Sequence, residues 1–195
     1  MQDLIEKLKT SMIANANNPE FRHHQWFVKY HLEIVYQIAM ELCDKYPLAD
    51  REMVEILVWL HDYGKPLDFA NQEEVTITQG RKKMAEIGFP ADIIEKAIQY
   101  AEFIDRRRDM DQYPIEVQIL SSADAASHFV GPFYACWWHE NPQKSVTELM
   151  ADNKKVRAKD WDRKIVLPEV KAAFKIRNEL KKEMAGELPE KYLYY

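Results

Sequence analysis

Met53-Val54-Glu55-Ile56-Leu57-Val58-Trp59-Leu60-His61-Asp62-Tyr63-Gly64-Lys65-Pro66 is an apolar helical run that ends on two side chains able to ligate a metal. Gly64 and Pro66 stop the helix, and Asp50 is placed to cap its start. An imidazole and a carboxylate at the end of a core helix are costly to bury unless their charge is compensated. A divalent cation is the usual compensation.

Upstream, Phe27, Val28, His31, Ile34, Val35, Ile38, Ala39 and Leu42 recur at three- and four-residue steps, the period of a helix with one buried face, and His31 is on that face. The turn Asp44 to Asp50 separates this helix from the next. Downstream, a loop runs to about Glu73. Helices are then expected over Val75 to Glu86, closed by Gly88; from Pro90 to about Arg107; and from Ile115 to Phe129 behind Pro114. Asp124 lies in the last of these among small and apolar neighbours. Val130 to Trp138 reads as an aromatic insert over the core. Ser145 and Glu148 form a capping box for a further helix, and Leu167-Pro168 begins a final one that ends near Gly186. No alternating strand pattern appears, so the expectation is an all-α fold of seven to nine helices.

The chain has 195 residues, 47% of them hydrophobic, which suits a single domain spanning 1–195. A net charge of −5 argues against a general nucleic-acid binder, which needs a basic face to displace counterions. The mixed charges of Met1 to Lys7 do not resemble a signal peptide, and no apolar stretch is long enough to span a bilayer. A cytoplasmic protein with no membrane association is expected. Cys43 and Cys136 are far apart and read as reduced thiols.

Three motifs carry a family resemblance. His31-Leu32-Glu33-Ile34-Val35 with Ala39, Leu60-His61-Asp62-Tyr63-Gly64-Lys65, and Leu120-Ser121-Ser122-Ala123-Asp124-Ala125 resemble, in this order, the patterns of the HD superfamily of metal-dependent phosphohydrolases. The resemblance runs from about Trp26 to Phe129. It implies an HD-domain helical bundle with a core at about 22–130 and a C-terminal helical extension at about 143–195. It also implies one metal site, ligated by His31, His61, Asp62 and Asp124 from three helices. Mixed nitrogen and oxygen donors that leave positions open suit catalysis by one divalent ion, whether Mn, Fe, Co, Ni, Mg or Zn, better than a calcium scaffold.

Dinuclear branches resemble one another in having two more histidines between the His-Asp pair and the closing Asp. Here that interval offers Thr76, Thr78, Gln79, Tyr100 and Glu102 instead. The expectation is therefore one ion and a hydrolase acting on a phosphomonoester or phosphodiester, with a small, anionic, nucleotide-like substrate. The alternatives are a metal-binding interaction domain without turnover and an HD-type diiron oxygenase.

Asp62 is expected both to ligate and to accept a hydrogen bond from the attacking water. Lys65 is either the holder of a phosphate oxygen or a loop lysine. His128, four residues after Asp124 and so on the same helical face, is either the leaving-group proton donor or a surface histidine. Arg22-His23-His24 and Arg106-Arg107-Arg108 are either cleft-rim cations or solvated helix ends. Phe133, Tyr134, Trp137 and Trp138 stack on a base, pack in the core, or form a homodimer surface.

Overall fold

In the computed structural model, which describes residues 1–106 and 110–193, the chain is all-α. Nine α-helices occur among the described residues: α1 (Gln2–Ala16), α2 (Glu33–Lys45), α3 (Arg51–Leu60), α4 (Gln72–Ile87), α5 (Ala91–Arg106), α6 (Ile115–Ser127), α7 (Phe133–His139), α8 (Val146–Lys159) and α9 (Pro168–Met184). Two π-helical turns, Val28–Leu32 and Asp160–Lys164, lead into α2 and out of α8.

The centre of the fold is α3. Every residue from Met53 to Leu60 is buried, as expected for a helix that is apolar around its circumference and must be covered on several sides. It packs against α1, α2, α5 and α6. Asp50 caps it, its carboxylate accepting from the Met53 N–H at 3.0 Å. The α2–α6 pairing closes the other side of the core and sets His31 opposite Asp124.

Most sequence expectations are met to within a few residues. Gly88 ends α4 in the left-handed region, with φ of 99°. Ser145 and Glu148 form the complete reciprocal capping box of α8. The aromatic insert is itself a short helix, α7. The sequence reading placed no helix ahead of residue 26, yet α1 spans the N-terminus and buries Ile5, Leu8, Met12 and Ala16 against α3 and α4. That spacing is helical and was available as a signal. Neither cysteine is in a disulfide. No helix among the described residues is long and apolar enough to cross a membrane. Arg107 and Arg108 lie outside the described residues, so the basic cluster expected there is not placed.

Candidate metal centre

Three structural devices bring the candidate residues to one point. His31 comes from the π-helical turn before α2, a kind of local widening that recurs at functional sites. His61 caps the C-terminus of α3 and Asp62 starts the following turn. Asp124 and His128 come from α6 and its C-cap, one helical turn apart.

The turn after Asp62 depends on Gly64. Its N–H donates to Thr76 Oγ1 at 2.9 Å, and a Cβ there would stand 2.3 Å from the Gln72 carbonyl oxygen and 2.4 Å from the Thr76 nitrogen. Only glycine admits this approach of the turn to α4. The turn sends Lys65 back over Asp62.

Each of the three imidazoles is held through Nδ1, which leaves Nε2 facing the same point. His31 Nδ1–H donates to Ser127 Oγ at 2.9 Å, whose own hydroxyl donates to the Asp124 carbonyl at 2.7 Å. His61 Nδ1–H donates to the Val58 carbonyl at 2.9 Å. His128 Nδ1–H donates to Asp160 Oδ2 at 2.7 Å. Backbone and carboxylate partners of this kind fix the tautomer of metal-binding histidines.

The Nε2 atoms surround two carboxylate oxygens. His31 Nε2 is 3.2 Å from Asp62 Oδ2 and 3.7 Å from Asp124 Oδ1, and His61 Nε2 is 3.5 Å and 4.0 Å from the same two atoms. His128 Nε2 is 3.7 Å from Asp124 Oδ1. His61 Nε2 is buried with no hydrogen-bond partner, an expensive state for a lone pair unless an ion or water fills the position. Two triads here, His31 with His61 and Asp62, and His31 with Asp124 and His128, have donor atoms close enough together to hold one metal ion each. The residues fit a divalent cation.

The charge balance is richer than the sequence reading supposed. That reading left compensation of the buried carboxylates to a cation alone, yet two lysines share it. Lys65 Nζ is 2.5 Å from Asp62 Oδ2, and buried Lys164, from the second π-helical turn, pairs with Asp124 Oδ2. Burial pushes both carboxyls up, but Lys65 with His61 and His31 holds Asp62, and Lys164 with the three imidazoles holds Asp124, well below the usual carboxylate range. Burial pushes the His31 imidazole down to about 4, against the pull of Asp62 and Asp124, so the ring is neutral near pH 7 as a ligand must be. Since Lys164 takes Oδ2 of Asp124, Oδ1 is left toward the imidazoles.

Lys164 and Asp160 were missed by sequence reasoning. They follow the end of α8 in a stretch, Asp160-Trp161-Asp162-Arg163-Lys164, with no apolar period to mark a buried face. His128, by contrast, is drawn into the centre with its side chain 11% exposed, rather than lying on the surface.

The centre forms one end of a cavity of about 280 Å³. His23 and the rings of Trp26, Phe27, Phe69, Phe133 and Trp137 also line it, Phe27 packing 4.9 Å from the His31 ring and Phe133 4.1 Å from the His128 ring. Phe133 and Trp137 therefore line the cavity. Tyr134 is also buried at its edge, and Trp138 instead donates to Asn153 at 3.2 Å. Arg22 and His23 are not equivalent solvated cations: Arg22 lies over the Phe69 and Trp137 rings, while His23 is only 4% exposed. Burial, with Lys65 and Arg22 nearby, pushes the His23 imidazole down to about 3 despite the opposing pull of Asp62.

A stability prediction follows. Since the His23 value is depressed on folding from 6.5, the unfolded chain binds the proton more readily, and this contribution is complete above about pH 6.5 and is lost as pH falls toward 3. Urea unfolding at pH 7 and pH 4 should show a larger loss for the natural chain than for His23→Phe. Equal losses would remove His23 from the acid response.

A family model described as HD domain matches residues 28–127, about half of the chain. No curated protein and no solved structure gives a match.

Proposed function

From the premise that this chain belongs to the HD-domain family, we propose that it is a metal-dependent phosphohydrolase acting on a small phosphomonoester or phosphodiester. The proposed ligands are His31, His61, Asp62 and Asp124. The observation that carries the reading is the convergence of three tautomer-fixed Nε2 atoms and two carboxylates in the wall of a cavity that Lys65 also lines.

The charges favour an anionic substrate. Asp62 and Asp124 are balanced by Lys65 and Lys164, and Asp160 by Lys159 at 3.5 Å, so a bound divalent ion leaves the centre with a surplus of about two positive charges, the complement of a phosphate dianion. Such an ion supplies Lewis-acid polarisation of a phosphoryl oxygen and makes a water acidic enough to attack near neutrality. Lys65, 21% exposed and already aimed across the centre, holds a phosphate oxygen while keeping Asp62 ionised. Asp62 accepts a hydrogen bond from the attacking water and so orients it. His128, its ring fixed by Asp160 through Nδ1, takes up a proton at Nε2 and passes it to the leaving oxygen. Lys164 keeps Asp124 in register. The small cavity suits a nucleotide-sized ester rather than a polymer.

Metal analysis of the purified protein, paired with a phosphoester screen in solvent enriched in oxygen-18, tests this. Chelator should abolish activity, divalent metal should restore it, and the heavy oxygen should appear in released phosphate. Tight metal binding with no hydrolysis across a broad panel would favour a binding domain. Dioxygen consumption without phosphate release would move the protein to the oxygenase class.

A further inference from the structure

The aromatic wall of the cavity is built largely by residues that the family match does not cover. His23, Trp26 and Phe27 precede residue 28, and Phe133, Trp137 and Glu140 follow residue 127. The four proposed ligands and Lys65 lie within the matched residues, whereas most of this wall comes from the flanks.

Its polar element is a histidine–carboxylate pair. His23 Nδ1 is 2.6 Å from Glu140 Oε2, and Glu140 Oε1 accepts the Trp26 indole N–H at 2.5 Å. Burial pushes the Glu140 carboxyl up, and the Trp26 N–H with Arg22 Nε, 3.9 Å from Oε2, favours its ionised form against that. An ionised carboxylate can only accept, so Nδ1 carries the ring proton and Nε2 is a lone pair. Nε2 makes no hydrogen bond among the described residues, although the side chain is 5% exposed and lines the cavity. Aromatic rings flank it: Trp26 at 4.9 Å between centroids, Phe27 at 6.3 Å and Trp137 at 6.3 Å. Lys65 Nζ lies 5.3 Å over the Phe27 ring, which joins this wall to the metal centre.

We propose that this wall is a selectivity site for a planar heteroaromatic ring bearing an N–H donor, with the donor read by His23 Nε2 and the tautomer set by Glu140. The inference rests on the phosphoester reading for what the ring is attached to, a phosphate at Lys65. Aromatic walls favour a flat ring over a sugar or an alkyl chain. An acceptor with no protein partner, sealed from water when a ring lies against it, penalises a ring that cannot donate to it. His23 is then a specificity-determining residue and Glu140 a positioning residue.

Nucleosides test the ring site without turnover, because they carry no phosphate to release. Tryptophan fluorescence of the metal-loaded protein, with Trp26 and Trp137 in the wall, reads their binding. Guanosine and uridine bear a ring N–H, adenosine and cytidine an exocyclic amino N–H, and purine riboside has the same sugar with no base donor. The best donor-bearing nucleoside should bind about tenfold more tightly than purine riboside, the scale of one neutral hydrogen bond.

His23→Phe, which retains an aromatic ring, should erase that preference with metal content unchanged. Glu140→Gln is the sharper variant. With Trp26 holding the amide oxygen, the amide N–H₂ faces His23 Nδ1 and moves the ring proton to Nε2, so donor-bearing rings should lose their advantage or fall behind. A merely structural role for the pair would not reorder ligands. No nucleoside binding, equal affinities in the natural chain, or the same preference in both variants would overturn the proposal. Phosphate release from the monophosphates, measured separately, reports on the hydrolase reading, so failure of one leaves the other distinguishable.

Discussion

Replacing His61 or Asp124 with alanine should empty the metal centre, and the two variants should fail in different ways. His61 Nε2 is a buried lone pair with no protein partner, so His61→Ala removes a donor while relieving an unsatisfied atom. Its fold should survive, and its metal affinity should drop by more than about 100-fold, beyond what loss of an outer hydrogen-bonding partner costs. Asp124→Ala removes a donor and also deletes the carboxylate that Lys164, 5% exposed, pairs with. Breaking a buried ion pair by deleting one partner costs about 3–5 kcal/mol, so this variant should lose both metal and stability. Elemental analysis with urea unfolding reads both effects. Full metal content in either variant would remove that residue from the ligand set.

Lys65→Ala should leave metal content near normal and impair turnover by about ten- to a thousandfold, the range for removing a directed charge from a phosphoryl-transfer site. The geometry sharpens this expectation. Lys65 meets Asp62 Oδ2 at 2.5 Å from a turn whose backbone Gly64 and Thr76 hold against α4, and its side chain lines the cavity, within reach of a phosphate bound there. Unaltered kcat/KM on the best substrate would make Lys65 a structural partner of Asp62 and leave Arg22 as the next cation to test.

Charge bookkeeping separates these predictions from a simple count of ligands. Two aspartates and two lysines come close to neutrality without any ion, so the fold does not need a metal merely to bury its carboxylates. The open Nε2 of His61 and the tautomers imposed by Val58, Ser127 and Asp160 are the features that ask for an electrophile. The proposed hydrolase therefore rests on lone-pair geometry more than on electrostatic need.

The sequence by itself determined the all-helical fold, the central place of Met53–Leu60, and the position of His31, His61 and Asp124 on buried faces. Those features are local: a 3.6-residue apolar period, a cap, a glycine stop and a family motif are all written within a few turns of chain. It also placed His128 one turn beyond Asp124, so its approach to the centre was open to the reading. Only the tertiary structure decided which charges meet across long separations. Lys164 reaches Asp124 over 40 residues, Asp160 reaches His128 over 32, and Glu140 reaches His23 over 117. Nothing in the neighbourhood of those residues marks them, because a buried lysine or carboxylate is tolerable only through a partner that the fold supplies. For the same reason Arg22-His23-His24 read as a uniform basic cluster in the chain, and packing alone separated a cation lying over aromatic rings from a neutral imidazole sealed beneath them.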